Sequence, residues 1–385
     1  MRALVLTPST ASAAVRDIPC PVPGPGEVLV RVHAVAVNPV DQFYFSNPIA
    51  TQDQRVLGVD FAGEVVGRHH DLEASSDRRA RDGTRVAGFV QGANSANDRP
   101  GAFAEYVAAP YDLLWAVPDG LSLEEASTIS MCALTAAQAL FARFQLPSPF
   151  SSGCVPHDDR VNVLIYGAST SLGLFAAQLV HLAAQASGRA FCLIGTASAA
   201  NHDRLRAPPY SYDVLVDYHE HDWPRTVAAA TDGAGVHFAL DTISERDTVE
   251  KVHGVLGPRG KYHVFRSPSG GQFDTSGLAI QPVYGTVWEG LGHEVDYGDG
   301  LVFEAPPAAR EFAVRFFEFL GSGLKLWPNP VRRMPGGLDR IVPDAFSLLS
   351  GLVSERKDLG EGHMRPIRGE KLVYLLYGDM EDGNS

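Results

Sequence analysis

The run Val161-Asn162-Val163-Leu164-Ile165-Tyr166 is β-branched and apolar, and it ends in Gly167-Ala168-Ser169-Thr170-Ser171-Leu172-Gly173 before a helical pattern sets in at Leu174. Small residues between a strand and a helix let the backbone approach a ligand, and the first amides of the helix point outward without partners. Such a turn is suited to holding a phosphate or pyrophosphate. A glycine between Gly167 and Gly173, as G-x-G-x-x-G would have it, is missing; Ser169 and Ser171 stand there instead. Tight packing of helix on strand makes the same turn, so its neighbours must decide.

The next apolar run, Ala190-Phe191-Cys192-Leu193-Ile194, ends in Gly195-Thr196-Ala197-Ser198. A site for NADH wants Asp or Glu at this strand end to accept from the ribose 2′-OH, and neither is present. Ser198, Asn201 and Arg204 are donors of the kind that hold a 2′-phosphate, which favours NADPH; an exposed polar loop is the plainer reading. Leu240, Asp241 and Thr242 close another strand-like run, at the end of the sheet where open α/β folds bind ligands.

These groups need a frame, and the pattern provides one. From Arg160 onward, strand-like runs at 190–194, 214–216, 236–240 and 260–265 alternate with helical stretches such as Thr226–Ala230 and Asp247–Leu256. That alternation specifies a parallel, doubly wound sheet. Before about Trp115 the runs are short and broken by Gly and Pro (26–37, 63–66, 85–90), as in a β-barrel-like unit, with Asp71 to Arg81 read as an exposed loop. Ser122 with Glu125 reads as a helix N-cap with its carboxylate partner, opening an Ala-rich helix through Ala142. Arg310–Leu320 is amphipathic, with Phe312, Phe316, Phe317 and Phe319 on its core face or partly lining an apolar tunnel. Lys371–Tyr377 is a last strand, and the acidic tail from Asp379 reads as disordered.

A chain of 385 residues suits two domains, and 45% hydrophobic with 20% charged residues reads as soluble and globular. The net charge of −13, with 32 scattered basic residues, argues against a nucleic-acid surface. Met1–Leu6 is too short for a signal sequence and no apolar run approaches bilayer length, so a cytoplasmic protein off the membrane is expected. Cys20, Cys132, Cys154 and Cys192 stand too far apart for a zinc or disulfide framework. His69-His70 and His219 with His221 read as solvated loop histidines.

Several segments, taken in order, resemble the zinc-free quinone-oxidoreductase branch of the medium-chain dehydrogenase/reductase superfamily. They are Asn38-Pro39-Val40-Asp41, Leu57-Gly58-Val59-Asp60-Phe61-Ala62-Gly63-Glu64-Val65, Gly101–Tyr106, Thr135–Leu140, the turn at Gly167, Leu240–Ile243 and Gly369–Tyr374. Asn329-Pro330-Val331, Pro335-Gly336-Gly337-Leu338 and the 369–374 segment look most like trans-acting enoyl reductases of fungal polyketide synthases. The resemblance implies a GroES-like catalytic domain (1–131, resumed at 301–385) around a Rossmann domain for NADPH (132–300). It further implies a monomer, without zinc, that acts on an acyl chain held by a synthase's acyl carrier protein.

The same resemblance implies residue roles. Thr135 would lie near the nicotinamide, Ser198 and Tyr218 at the adenosine phosphate, and backbone groups of Val264 and Phe265 at the carboxamide. Hydride would pass from NADPH to the β-carbon of an α,β-unsaturated thioester, with the enolate protonated afterwards. Asn38 and Asp41 fall in the cleft, though turn and fold roles suit them too. The chain departs from the family pattern at Phe43, where Asn-Pro-x-Asp-x-Lys would place a lysine. Protonation then falls to water or Tyr44, or the fold serves another reaction, such as isomerisation or cyclisation of a polyene. A stand-alone quinone or enone reductase is a further alternative.

Overall fold

β-branched residues at alternate positions make Val28, Val30 and Val32 the buried row of the strand Glu27–Val37, around which the first unit is built. The computed structural model describes residues 1–10, 12–49, 55–92, 100–155, 160–297, 302–356 and 359–377. They divide into one unit of Met1–Met131 with Trp288–Ser385 and another of Cys132–Val287. The tail from Asp379 lies outside the described residues.

The first unit opens with β1 (Arg2–Thr7), β2 (Ser12–Asp17), β3 (Glu27–Val37), β4 (Arg55–Val56), β5 (Asp60–Arg68), β6 (Arg85–Phe89), β7 (Tyr106–Pro110) and β8 (Leu114–Ala116). The second contributes β9 (Arg160–Tyr166), β10 (Ala190–Thr196), β11 (Val214–Val216), β12 (Val236–Asp241) and β13 (Leu256–Val264). The chain then returns through β14 (Val295–Asp296), β15 (Val302–Phe303), β16 (Val331–Arg333) and β17 (Lys371–Leu375).

In the first unit a sheet of order β16-β17-β3-β5-β6-β8, with β7 also on β3, stands beside a smaller one, β2-β1-β4. Val30, Val32, Phe61, Val86, Phe103 and Tyr374 fill its core. The second unit holds a parallel sheet of order β11-β10-β9-β12-β13, the doubly wound arrangement that the alternation implied. Outside β13 the sheet continues as a single parallel bridge at Val283, whose N–H donates to Tyr262 O at 2.7 Å while Val264 N–H donates to Val283 O at 3.0 Å.

Three expectations need correction. The Ala-rich stretch is not one helix through Ala142 but Leu123–Ala126, Ser130–Ala137 and a π-helical run Gln138–Arg143. The break follows from Ser127 and Thr128, whose hydroxyls donate to the carbonyls of Glu124 and Glu125, each at 2.7 Å. Asp71 to Arg81 is no simple exposed loop: the Arg79 guanidinium is buried, donating to Asp77 at 2.7 Å and to Leu114 O at 3.2 Å. The return to the first unit falls between Val287 and Trp288 rather than at 300/301, because Trp288 is buried in that unit against Phe89.

Candidate active site

In the second unit the turn after β9 is fixed by hydroxyls. Gly167 takes φ +79°, and its N–H donates to Thr196 Oγ1 at 3.1 Å. Thr170 caps the Ser171–Ser187 helix, its Oγ1 accepting from Gly173 N–H at 2.9 Å. Thr242 Oγ1 donates to the carbonyls of Tyr166 and Gly167 at 2.8 and 3.0 Å. Its single proton is thereby committed, so it accepts from Thr170 Oγ1, 2.9 Å away. Thr170 and Thr242 are thus wired together, with the serines on either side of Thr170 partly exposed.

The turn also has to stay bare. A Cβ on Gly173 would meet Gly167 O at 2.5 Å, and one on Gly167 would meet Thr242 Oγ1 at 2.5 Å. Bare backbone beside the Ser171 and Leu172 amides, which open a 17-residue helix with no carbonyl a turn before them, suits a pyrophosphate, so these residues fit a dinucleotide. Leu172 sits in that first turn and contributes its amide there.

Beyond β10, three of the expected phosphate ligands form one chain: Asn201 Nδ2 donates to Ser198 Oγ at 2.9 Å, and Arg204 Nη2 to Asn201 Oδ1 at 3.3 Å. Asp217 ties this loop to the end of β11, accepting from Ala199 N–H at 3.0 Å and from His219 at 2.7 Å. Its pKa lies below the usual carboxylate range: burial works against that, and the hydrogen bonds from His219 and Ala199 outweigh it. Tyr218, beside it, is exposed and meets His219 at a tilt, with ring centroids 4.1 Å apart.

Asp241 turns inward. Its Oδ1 accepts from the amides of Ile243 and Ser244 at 3.0 and 2.7 Å, its Oδ2 from Thr248 and Tyr262 hydroxyls at 2.8 and 3.2 Å. Burial raises its pKa to about 6, with those donors opposing. It organises the loop after β12 and leaves no carboxylate atom facing outward, while the Leu240 side chain is in the core. Ser244 Oγ accepts from Phe265 N–H at 2.9 Å, and the Val264 N–H is taken by Val283. Amide donors at 264 and 265 are therefore occupied, which leaves the carbonyls there. Thr135 is half-buried on the Ser130–Ala137 helix.

In the first unit, Asn38 precedes the Pro39–Ser46 helix, and its N–H donates to Asp41 Oδ2 at 2.7 Å. Asn38 Nδ2 donates to Asp60 Oδ2 at 3.0 Å; Lys371 Nζ donates to that same oxygen at 3.1 Å and to Asn38 Oδ1. Asp60 Oδ1 accepts from Met131 N–H at 3.0 Å. All four side chains are buried. Burial pushes the Asp41 carboxyl up to about 7, with the Asp60 charge adding and the Asn38 amide and Lys371 opposing. Asp60 and Lys371 were not singled out from sequence: both stand in recognised segments, but a contact across 311 residues has no local signal.

On the same helix Phe43 is 49% exposed, and Tyr44 is buried. Phe43 meets Tyr44 edge-on at 5.3 Å; Tyr44 stacks on Tyr297 at 6.2 Å, and Tyr297 meets Phe303 edge-on at 5.4 Å. An aromatic strip thus runs from the helix onto the β14–β15 hairpin, presenting an apolar, uncharged surface. Among the described residues no three His, Cys, Asp or Glu side chains group as metal ligands, and no helix is long and apolar enough to cross a membrane.

Comparison with known proteins adds the family context. A model of the alcohol dehydrogenase GroES-like domain matches residues 24–119. The trans-enoyl reductase traG of Penicillium crustosum is 30% identical over 348 residues, covering 89% of this chain and 91% of that protein. The trans-enoyl reductase caaB of Aspergillus niger is 32% identical over 376 residues, covering 94% and 93%. Among solved structures, CurK enoyl reductase has a TM-score of 0.69 at 16% identity, over 98% of this chain and 99% of that one. Mycobacterial Rv1454c complexed with NADPH has a TM-score of 0.68 at 22% identity, over 97% and 100%.

Proposed function

Since the chain belongs to the trans-enoyl reductases of the medium-chain dehydrogenase/reductase superfamily, we propose that it reduces an α,β-unsaturated acyl thioester with NADPH, the acyl chain being carried by the acyl carrier protein of a separate polyketide synthase. The observation that carries this reading is the bare, hydroxyl-wired turn at Gly167–Gly173, in a chain aligned with such reductases over about nine-tenths of its length. The turn, with Ser169, Ser171 and the amide of Leu172, takes the pyrophosphate. Ser198, Asn201 and Arg204, with Tyr218, take the 2′-phosphate; the joined side chains of the first three and the lack of a carboxylate at the strand end 195–198 support the choice of NADPH.

NADPH, when bound, supplies the hydride. Thr135, Leu240 and Thr242 lie on the nicotinamide side, with the carbonyls of Val264 and Phe265 accepting from the carboxamide. Asn38 and Asp41, both buried, hold the start of the helix that carries Phe43 and Tyr44, and with Phe43 in place of a cation the proton for the enolate comes from Tyr44 or from water. Zinc has no part in this reading, because the Asn38 side chain is committed to Asp60 and Lys371. The protein works as a cytoplasmic monomer.

Incubating the purified protein with NADPH and a simple enoyl thioester, and following loss of nicotinamide absorbance, tests the proposal. Turnover of that substrate or of the synthase-bound chain is expected; none with either overturns it. Exposed Phe43 favours a second reading, a redox-silent isomerase or cyclase of a polyene, which predicts product formation without NADPH.

A further inference from the structure

Away from the residues described so far, the first unit carries a groove of about 780 Å³, lined by Arg2, Arg333, His363 and the segment Pro335–Leu338. The segment is one that the sequence singled out as resembling trans-acting reductases. Beside it β16 is an end strand of its sheet, paired among the described residues only with β17.

Four ion pairs around this groove share one orientation, while a fifth, Arg332 with Glu370, keeps its cation buried. Arg365 is 50% exposed and its partner Glu370 16%; Arg340, whose stem lies over Gly336, is 47% exposed and its partner Asp344 5%. Arg2 over Glu105 and Arg333 over Glu124 repeat the pattern, guanidinium outward and carboxylate inward. Asp339 is the outward carboxylate of the lining. On a chain of net charge −13, the groove presents a rim of cations.

We propose that this groove docks an acidic, extended segment of the partner synthase, whose backbone lies along β16 and whose carboxylates meet Arg2, Arg333, Arg340 and Arg365. The inference rests on the reading that the acyl chain is carried by another protein. Exposed guanidiniums cost little to redirect from their own carboxylates to a partner's, because surface pairs are weak. Charges on a rim set encounter and partner choice, and their effect fades as salt rises. An open strand edge supplies main-chain donors and acceptors to an extended peptide.

The test uses the full chain with Arg333→Glu and Arg365→Glu together, and with Lys at both positions as the conservative control. Turnover is measured on a free enoyl thioester and on the chain held by the purified synthase, and binding is measured with a fluorescein-labelled decaglutamate peptide. Charge reversal is expected to leave the free thioester within about twofold while synthase-bound turnover and peptide binding fall by roughly tenfold. The Lys control should retain both, and the difference should vanish at about 0.5 M salt. An equal loss on both substrates, or no loss in the synthase reaction, overturns the proposal. Should the wild type reduce neither substrate, the enoyl-reductase reading fails, and peptide binding still decides this one: unchanged binding on charge reversal overturns it.

Discussion

Lys371 Nζ lies 3.1 Å from Asp60 Oδ2 with both side chains out of solvent, and it ties the last strand of the first unit to β5. Removing one member strands the other's charge. Lys371→Ala should therefore destabilise the protein by about 3–5 kcal/mol. Lys371→Met combined with Asp60→Asn should lose less than Lys371→Met alone. Urea unfolding of the single and double variants checks this; additive losses would mean that the two do not act as a pair.

Asp41 gives a pH dependence of defined sign. Its folded pKa of about 7 lies above its ordinary value of 3.8, so the stability linked to its protonated form is fully present below about pH 4 and is lost as pH rises through 7. Asp41→Asn should flatten the fall in stability between pH 4 and 7. Urea midpoints across that window measure it, and an unchanged slope would assign the dependence to another group such as Asp241.

Cofactor choice should follow the loop after β10. Ser198→Asp and Arg204→Ala should each weaken NADPH binding by about tenfold and leave NADH within about twofold, since only NADPH carries the 2′-phosphate. Nicotinamide fluorescence titration with both cofactors gives the ratio. Equal effects on both would remove the phosphate role of that loop.

Gly173 tests the turn. An added Cβ would press on Gly167 O, so Gly173→Ala should cost about 1–3 kcal/mol and weaken both cofactors alike. Thermal unfolding with and without cofactor separates the two losses.

At Phe43 a cation can be restored. Phe43→Lys should raise turnover of an enoyl thioester by on the order of tenfold with NADPH affinity unchanged, since a positioned proton donor contributes to protonation of the enolate. Steady-state kinetics with a solvent isotope effect measures the change, and unaltered turnover would leave protonation with Tyr44 or water.

What was legible depended on how local each cause is. The doubly wound sheet came from alternating runs, and the capping box at Ser122 and Glu125 from a four-residue pattern, here with the Glu125 amide donating to Ser122 Oγ at 3.1 Å. The joining of Ser198, Asn201 and Arg204 was readable because one loop carries all three. The inward turn of Asp241 was not, since its partners Thr248 and Tyr262 declare themselves only once β12 and β13 are side by side. Nor was the break at Ser127 and Thr128, where hydroxyl-to-backbone bonds override an alanine-rich pattern. Lys371 and Asp60 belong with these: each is an ordinary residue of its own segment until the sheet joins them.

The hydroxyl relay from Thr170 through Thr242 to the Gly167 carbonyl is complete within the protein itself. An arriving dinucleotide thus meets a turn whose shape was set at folding, and the association carries no entropic cost for freezing that backbone. Thr242→Val would shift that cost to the moment of encounter, so the relay bears on how tightly a dinucleotide is held.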